Sequence, residues 1–388
     1  MGNLASTYRH QGRWREAEGL EVQVMQMRKR VLGGEHPDTL TSMGNLASTY
    51  AHQGRWREAE ELEVQVMQTM QRVLGGKHPH TLISMDHLAS TYAQQGQWDK
   101  AEQLFFQVIQ TRERVLGNKH PDTLVSMSNL ASSYIRQGLW HEAAELEVQV
   151  MQTRKKVLGD EHPHVLTSMN NLASTYRHQG RSREAEKLNV QVMQTRKRVL
   201  GDEHPDTLIS MSNLAATYSN QKRWREAEGL QVQVMQMRKR VLGCEHPSTL
   251  TSIDNLASTH CYQRQWVQAE ALSMEVIQTK RRILGDEHPL TLLGMGNLAA
   301  TYSKQGRWRE AAKLEVQVMQ TRKRVFGGEH PDTLTSMNNL AYTLKLQARQ
   351  EEAIALMERC FQSRQQILGK HHPDTQSSRD ALSSWQAE

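Results

Sequence analysis

The chain is poor in aromatic residues, which make up 5% of it and include only four phenylalanines. A core built on large rings is thereby excluded, and any interior has to come from Leu, Ala, Val and Met. Proline is as sparse, and it stands at one place only. Pro37, Pro79, Pro121, Pro163, Pro205, Pro247, Pro289, Pro331 and Pro373 each follow a histidine, each 42 residues after the last. The three cysteines, Cys244, Cys261 and Cys360, fall at unrelated phases with no CxxC spacing, which argues against a disulfide framework and a thiolate metal site. There is no apolar run of about 18 residues and no charged start leading into an apolar core, so neither a membrane span nor a secretory leader is expected. A cytoplasmic location follows as the expectation.

What is present is repetition. The segment from Gly33 to Leu74 recurs along the sequence with a period of 42 and without insertion or deletion. A fixed period in this range is the mark of a solenoid, in which each unit buries its apolar face only against its neighbours. The expected fold is therefore all-α, one continuous array over residues 1–388 rather than separate globules.

Within the unit, Leu40, Met43, Leu46, Ala47 and Tyr50 recur at helical spacing and predict helix A. Pro37 suits its first turn, Asp38 adds negative charge at the positive dipole end, and Gly54 supplies the left-handed turn that ends it. Helix B is predicted from Trp56 to Leu74, with Ala59, Leu62, Val66 and Val73 on one apolar stripe and Val64 with Met67 on another. Ten A helices and nine B helices are expected. The first copy lacks its His-Pro start, which predicts a truncated or frayed first helix or a cut from a longer chain. At the other end a capping helix is expected over residues 373–386, with Gln376 and Arg379 in place of the recurring Leu and Met.

Copies differ at informative places. Lys222 and Arg264 replace the turn glycine, at a cost of about 1 kcal/mol each if the turn stays left-handed. Ser182 and Gln350 replace the recurring tryptophan, predicting layers that lose a large buried ring. The copy holding Ile253, His260, Arg264 and Val267 departs most and is expected to open first. The start Met1 to Ser6 fits an acylation pattern, but the same letters at Met43 to Ser48 make repeat phase the simpler account.

The run Asn-Leu-Ala-x-x-Tyr, then Gln-Gly-Arg-Trp-x-Glu-Ala-Glu-x-Leu, then Val-Leu-Gly-x-x-His-Pro-Asp-Thr resembles the 42-residue tetratricopeptide (TPR) repeat of kinesin light chains. It is also similar to the long TPR arrays of fungal NOD-like NTPases. The resemblance implies a right-handed α-solenoid of helical hairpins, nine units plus a terminal helix, whose A helices line a concave groove for peptides. No heptad coiled coil precedes the array and no GxxxxGK[ST] loop occurs, so direct motor association is not implied and an NTPase module would lie outside this chain.

Candidate binding residues follow from the face of helix A opposite its core, which carries Thr41, Asn45, Ser48 and His52. Its asparagine returns as Asn129, Asn171, Asn213, Asn255, Asn297 and Asn339, with His87 breaking the ladder. An amide offers donors and an acceptor, so such a ladder can grip an extended peptide backbone regardless of side chains; the resemblance implies the same role. The alternative is that these amides bond to neighbouring helices. Arg136, Arg177, His178, Asn220, Tyr262, Lys304, Tyr342 and Leu346 vary around the face, and their basic lean points to an acidic partner.

Other readings carry less. The histidines recur one per layer and lack ligand spacing, so they are read as loop caps and no metal is expected. Clusters such as Arg28-Lys29-Arg30, Arg196-Lys197-Arg198 and Arg322-Lys323-Arg324 close each helix B, where they complement its dipole. With a net charge of +6 they are read as caps rather than as a nucleic-acid footprint. No cofactor and no catalysis are expected, because any nominated residue recurs in layer after layer. A protein-interaction scaffold leads, ahead of a sensing array from a NOD-like protein and of a nucleic-acid binder.

Overall fold

A computed structural model describes residues 2–10 and 13–387. Met1, where the acylation pattern begins, lies outside them. The described residues form nineteen helices and no strand. They fall into two compact units, one of Met1–Gln137 with Lys323–Pro331 and one of Gly138–Arg322 with Asp332–Glu388.

The first unit holds α1 (Gly2–His10), α2 (Trp14–Leu32), α3 (Pro37–His52), α4 (Trp56–Leu74), α5 (Pro79–Gln94), α6 (Trp98–Leu116) and α7 (Pro121–Arg136). The second begins with α8 (Trp140–Leu158), α9 (Pro163–His178), α10 (Ser182–Leu200), α11 (Pro205–Asn220), α12 (Trp224–Leu242) and α13 (Pro247–Tyr262). It continues with α14 (Trp266–Leu284), α15 (Pro289–Lys304), α16 (Trp308–Phe326), α17 (Pro331–Leu346), α18 (Gln350–Ile367) and α19 (Pro373–Ala387), the last turn of α16 and the following loop belonging to the first unit. Odd-numbered helices are the A helices expected from the period, and even-numbered ones are B. Within each unit, successive helices pack on one another as antiparallel hairpins.

The His-Pro pair starts helix A by a specific contact. His36 Nδ1 accepts the Asp38 backbone N–H at 3.2 Å, and His78, His120, His162, His204, His246, His288 and His372 repeat the bond. One orphan donor of the helix end is thereby satisfied, while proline at the first helical position removes another. At the far end Gly54 takes φ 77°, and Lys222, Arg264 and Ala348 take φ 62°, 64° and 60° at the same turn. A non-glycine side chain is strained there.

Leu40, Met43, Leu46 and Ala47 are buried as expected, and on helix B the expected Ala59 and Val66 are buried with Leu62 packed beside them, but the expected Val73 is not. Val73 is 43% exposed, whereas Ala59, Glu63, Val66 and Met70 form the inward face. The reason is that the last turn of helix B runs past the shorter helix A, leaving the valine of that turn uncovered. Glu63 takes the inward place because helix A of the next hairpin offers it the Thr91 hydroxyl.

The tryptophans are not buried rings either. Trp56 is half-buried and Trp308 is 39% exposed. Standing at the first turn of helix B, each is only partly covered, Trp56 by a stack on His330 with centroids 4.5 Å apart. Their main-chain carbonyls are held instead: Gln53 Nε2 donates to Trp14 O at 3.2 Å, Gln95 to Trp56 O at 3.0 Å and Gln179 to Trp140 O at 2.8 Å. Ser182 therefore loses the ring but keeps the clamp, since Gln221 donates to its carbonyl at 3.1 Å.

At the ends, α1 is nine residues long against sixteen for α3, and its Leu4 is 47% exposed. Gln376 and Arg379 of α19 are exposed where Leu40 and Met43 are buried. Trp385 anchors this last helix, packing with Leu340, Leu344, Met357 and Ala381.

Candidate binding face

The A helices also meet one another within each unit: α5 lies against α7, α9 against α11 and α13 against α15, while no pair of B helices is as closely packed among the described residues. Within each unit the A-helix side is thus the tighter side. Along α3, Thr41, Asn45 and His52 are exposed and Ser48 is half-buried. The face named from the sequence is the one left open by packing.

Asn45, Asn255 and Asn339 are exposed, and Asn129, Asn171, Asn213 and Asn297 are half-buried. None of these amides makes a side-chain hydrogen bond among the described residues. Only main-chain groups there are engaged, as where Thr175 Oγ1 donates to Asn171 O at 3.3 Å and Thr217 Oγ1 to Asn213 O at 3.0 Å. In the first unit the ladder is interrupted by His87. Its imidazole is open to solvent at the surface, yet loss of hydration, helped by the Arg112 guanidinium, holds its pKa below the ordinary value. That combination belongs to a side chain flanked by walls.

The variable residues gather at the ends of the A helices. Trp224 stacks on Tyr262 with centroids 4.8 Å apart and an interplanar angle of 1°, and the Lys304 ammonium sits 3.5 Å from the centroid of the same tyrosine. Trp140 stacks more loosely on His178 at 6.1 Å, as Trp14 does on His52. In these three copies the tryptophan is thus a shelf under the last residue of the next A helix, and it holds two of the nominated residues. Arg177 is half-buried, donates to Ser174 Oγ at 3.4 Å, and has its pKa lowered by burial. Arg136 and Asn220 are exposed at the ends of α7 and α11. Tyr342 turns instead to Trp385, edge to face at 5.1 Å.

The basic clusters need correction. The first residue of each triplet is not an exposed cap: Arg112, Arg154, Arg196, Arg238, Arg322 and Arg364 are buried. Each reaches a serine of the next A helix, as in Arg154 Nη1 to Ser168 Oγ at 2.7 Å and Arg238 Nη1 to Ser252 Oγ at 2.8 Å. The stem is long enough to pass between hairpins, so the charge that looks like a helix-end cap is a rivet. The third residue is exposed, and in four copies it is ion-paired, Arg72 with Glu35 at 2.5 Å and Arg282 with Glu245 at 2.5 Å, with Arg198 and Arg240 paired to Glu161 and Glu203. Much of the apparent phosphate-binding charge is thereby already neutralised.

Sequence reasoning also missed a row of buried polar groups on helix B: Glu21, Glu63, Glu147, Asn189, Gln231 and Glu315. Thr49 donates to Glu21 and Thr175 to Glu147, both at 2.6 Å, and Asn189 donates to Thr217 at 2.9 Å. The signal was available. This phase also holds Phe105 and Met357 and never a basic residue, which marks an interior position.

Against known proteins, the tetratricopeptide repeat family matches residues 1–68, 64–114, 87–156, 122–198, 167–240 and 249–324, and a second tetratricopeptide repeat family matches 333–374. Among curated proteins none matches. A crystal structure of nearly identical TPR-like repeats of the kinesin light chain kind from Podosopora anserina is 36% identical, with a TM-score of 0.45, covering 53% of this chain and 98% of that one. A form of the same repeats with a single substitution gives 36% identity, a TM-score of 0.46 and coverage of 53% and 97%. BtubC (BKLC) from P. vanneervenii is 19% identical, with a TM-score of 0.45 over 63% of this chain and 92% of that one. No helix among the described residues is long and apolar enough to cross a membrane. With its period, its nineteen helices and family matches over most of its length, the chain belongs to the tetratricopeptide repeat family.

Proposed function

We propose that the chain is a non-catalytic scaffold of the kinesin light chain-like adaptor kind, which grips an extended, acidic segment of a partner protein along the open face of its A helices. The observation that carries this reading is the set of amides at Asn171, Asn213, Asn255 and Asn297, open at least in part and bonded to nothing among the described residues. A buried or bonded amide would be structural. An unbonded one on the open face of the A helices has its donors and acceptor available for a peptide main chain. Arg177, half-buried with only a serine as its hydrogen-bond partner, and Lys304, placed over Tyr262, support an acidic partner.

The test is capture of partners from cytosol by the chain, followed by titration of the recovered segment against wild type and against N171A/N213A/N255A. Each lost bond is worth roughly 0.5 to 1.5 kcal/mol, so the triple change is expected to weaken binding by about tenfold to a thousandfold or more. Circular dichroism should be unchanged, because alanine favours a helix more than asparagine does. A helical triple variant that binds as tightly as wild type overturns the ladder.

A further inference from the structure

Three junctions between hairpins contain a buried carboxyl group that the fold does not pair. Glu63 of α4, Glu147 of α8 and Glu315 of α16 are 5%, 3% and 7% exposed. Each receives one hydrogen bond from a threonine on the next A helix, Thr91 of α5, Thr175 of α9 and Thr343 of α17. The other oxygen of each carboxyl is buried with no partner. A full negative charge in that position is costly, since one hydroxyl does not replace its hydration.

The charged and titratable groups around them offer no relief. Glu63 faces Thr91 and is near the Glu60 carboxylate on its own helix and the Tyr92 phenol on α5, both acidic groups. Glu147 and Glu315 have only Thr175 and Thr343 as influential polar neighbours. Glu21 differs, because Arg9 Nε lies 3.2 Å from its carboxylate beside the Thr49 bond. At the same phase other copies carry neutral groups, Asn189 bonded to Thr217, Gln231 and Ser273. With Phe105 and Met357 also at this phase, the junction itself takes a neutral side chain.

We propose that Glu63, Glu147 and Glu315 serve as neutral acids that latch α4 to α5, α8 to α9 and α16 to α17, and that their deprotonation loosens these junctions, so that the array stiffens on mild acidification. Burial, opposed only by the threonine bond, pushes all three carboxyls up to about 7. An open junction hydrates the same carboxyl and returns it to the ordinary value of about 4.3. The closed form therefore binds the proton more tightly. The stabilisation is complete below the open-state value and is lost as pH rises through the closed-state value, a window from about pH 4.5 to about pH 7. Within it each unit of pH changes the closing equilibrium of one junction by about tenfold.

The experiment compares wild type with E63Q/E147Q/E315Q by amide hydrogen exchange at about pH 5 and about pH 7, corrected for the intrinsic chemical rate. In wild type, protection of α5, α9 and α17 should fall by tenfold or more between the two conditions, while α11, latched by Asn189, stays level. The triple variant should lose that dependence, and its infrared spectrum should lack a protonated-carboxyl band that wild type shows at about pH 5 and sheds toward about pH 8. A variant carrying E147N alone, which copies Asn189, guards against misfolding and should flatten α9 only. Equal pH dependence in wild type and variant, or wild-type protection that does not change across the window, overturns the proposal.

Discussion

The indole of Trp224 and the phenol ring of Tyr262 lie parallel at 4.8 Å, although they belong to different hairpins and Tyr262 is 55% exposed. Stacked rings add roughly 0.5 to 1.5 kcal/mol beyond the area they bury. Tyr262→Ala should therefore lower the stability of the chain by about 1 kcal/mol in denaturant unfolding, and a Tyr262→Phe change should cost much less. Equal loss in both would mean that the hydroxyl rather than the stack matters.

Asp86 and Arg112 form a buried ion pair at 2.5 Å, with both side chains also bonded to Ser126. Removing one partner strands the other, which typically costs about 3 to 5 kcal/mol. The chain provides its own neutral template, since Gly44 and Met70 hold the same two phases one copy earlier. Arg112→Met should destabilise by that amount, since it strands the buried carboxylate, and adding Asp86→Gly should recover most of it. A double variant as weak as the single one would show that the pair, not its neutralisation, supports the fold.

Arg264 adopts φ 64° where most copies have glycine, and Nδ1 of His260 in the same turn is buried without a partner. Amide exchange over residues 253–267 should be faster than over the matching 295–309, where Gly306 makes the turn. Arg264→Gly should remove about 1 kcal/mol of strain and slow exchange locally. If the two stretches exchange alike, the turn is not the weak point.

Nucleic-acid binding gives a fourth expectation. Because Arg72, Arg198, Arg240 and Arg282 are already paired with glutamates of the preceding loop, retention on DNA or RNA should be weak. The logarithm of its affinity should also fall only gently with salt, reflecting few phosphates neutralised. A steep salt slope would reopen the basic helix ends as a site.

The hairpins and most of the candidate face could be read from the sequence because both follow from phase. Leu40, Met43 and Ala47 recur in nearly every copy, as a buried face requires, and Asn45 recurs opposite them. Arg112 could not be read the same way, and Glu63 only from its phase, which also holds Phe105 and Met357. Their side chains belong to solvent by default, and their partners, Thr91 and Ser126, come near only after the chain has turned back and started the next helix. Trp56 misled for another reason. Its size argued for the interior, but a first-turn residue of helix B is only partly covered, and its half-buried ring packs on Phe326 and His330.

The bonds that join hairpins have a common arithmetic. Those that recur link residues 10, 14, 26, 28, 35, 37, 39 or 40 positions apart, all short of the 42-residue period. Among the described residues no recurring bond skips a copy. Excising or duplicating a whole period therefore leaves each residue facing a neighbour of the right phase, whichever copy is gained or lost. Near-identical tandem copies are also prone to unequal exchange at the level of their coding DNA. The array is built so that such accidents change its length one unit at a time without leaving an unmatched seam, and the reach available for partners becomes a heritable variable separable from the fold.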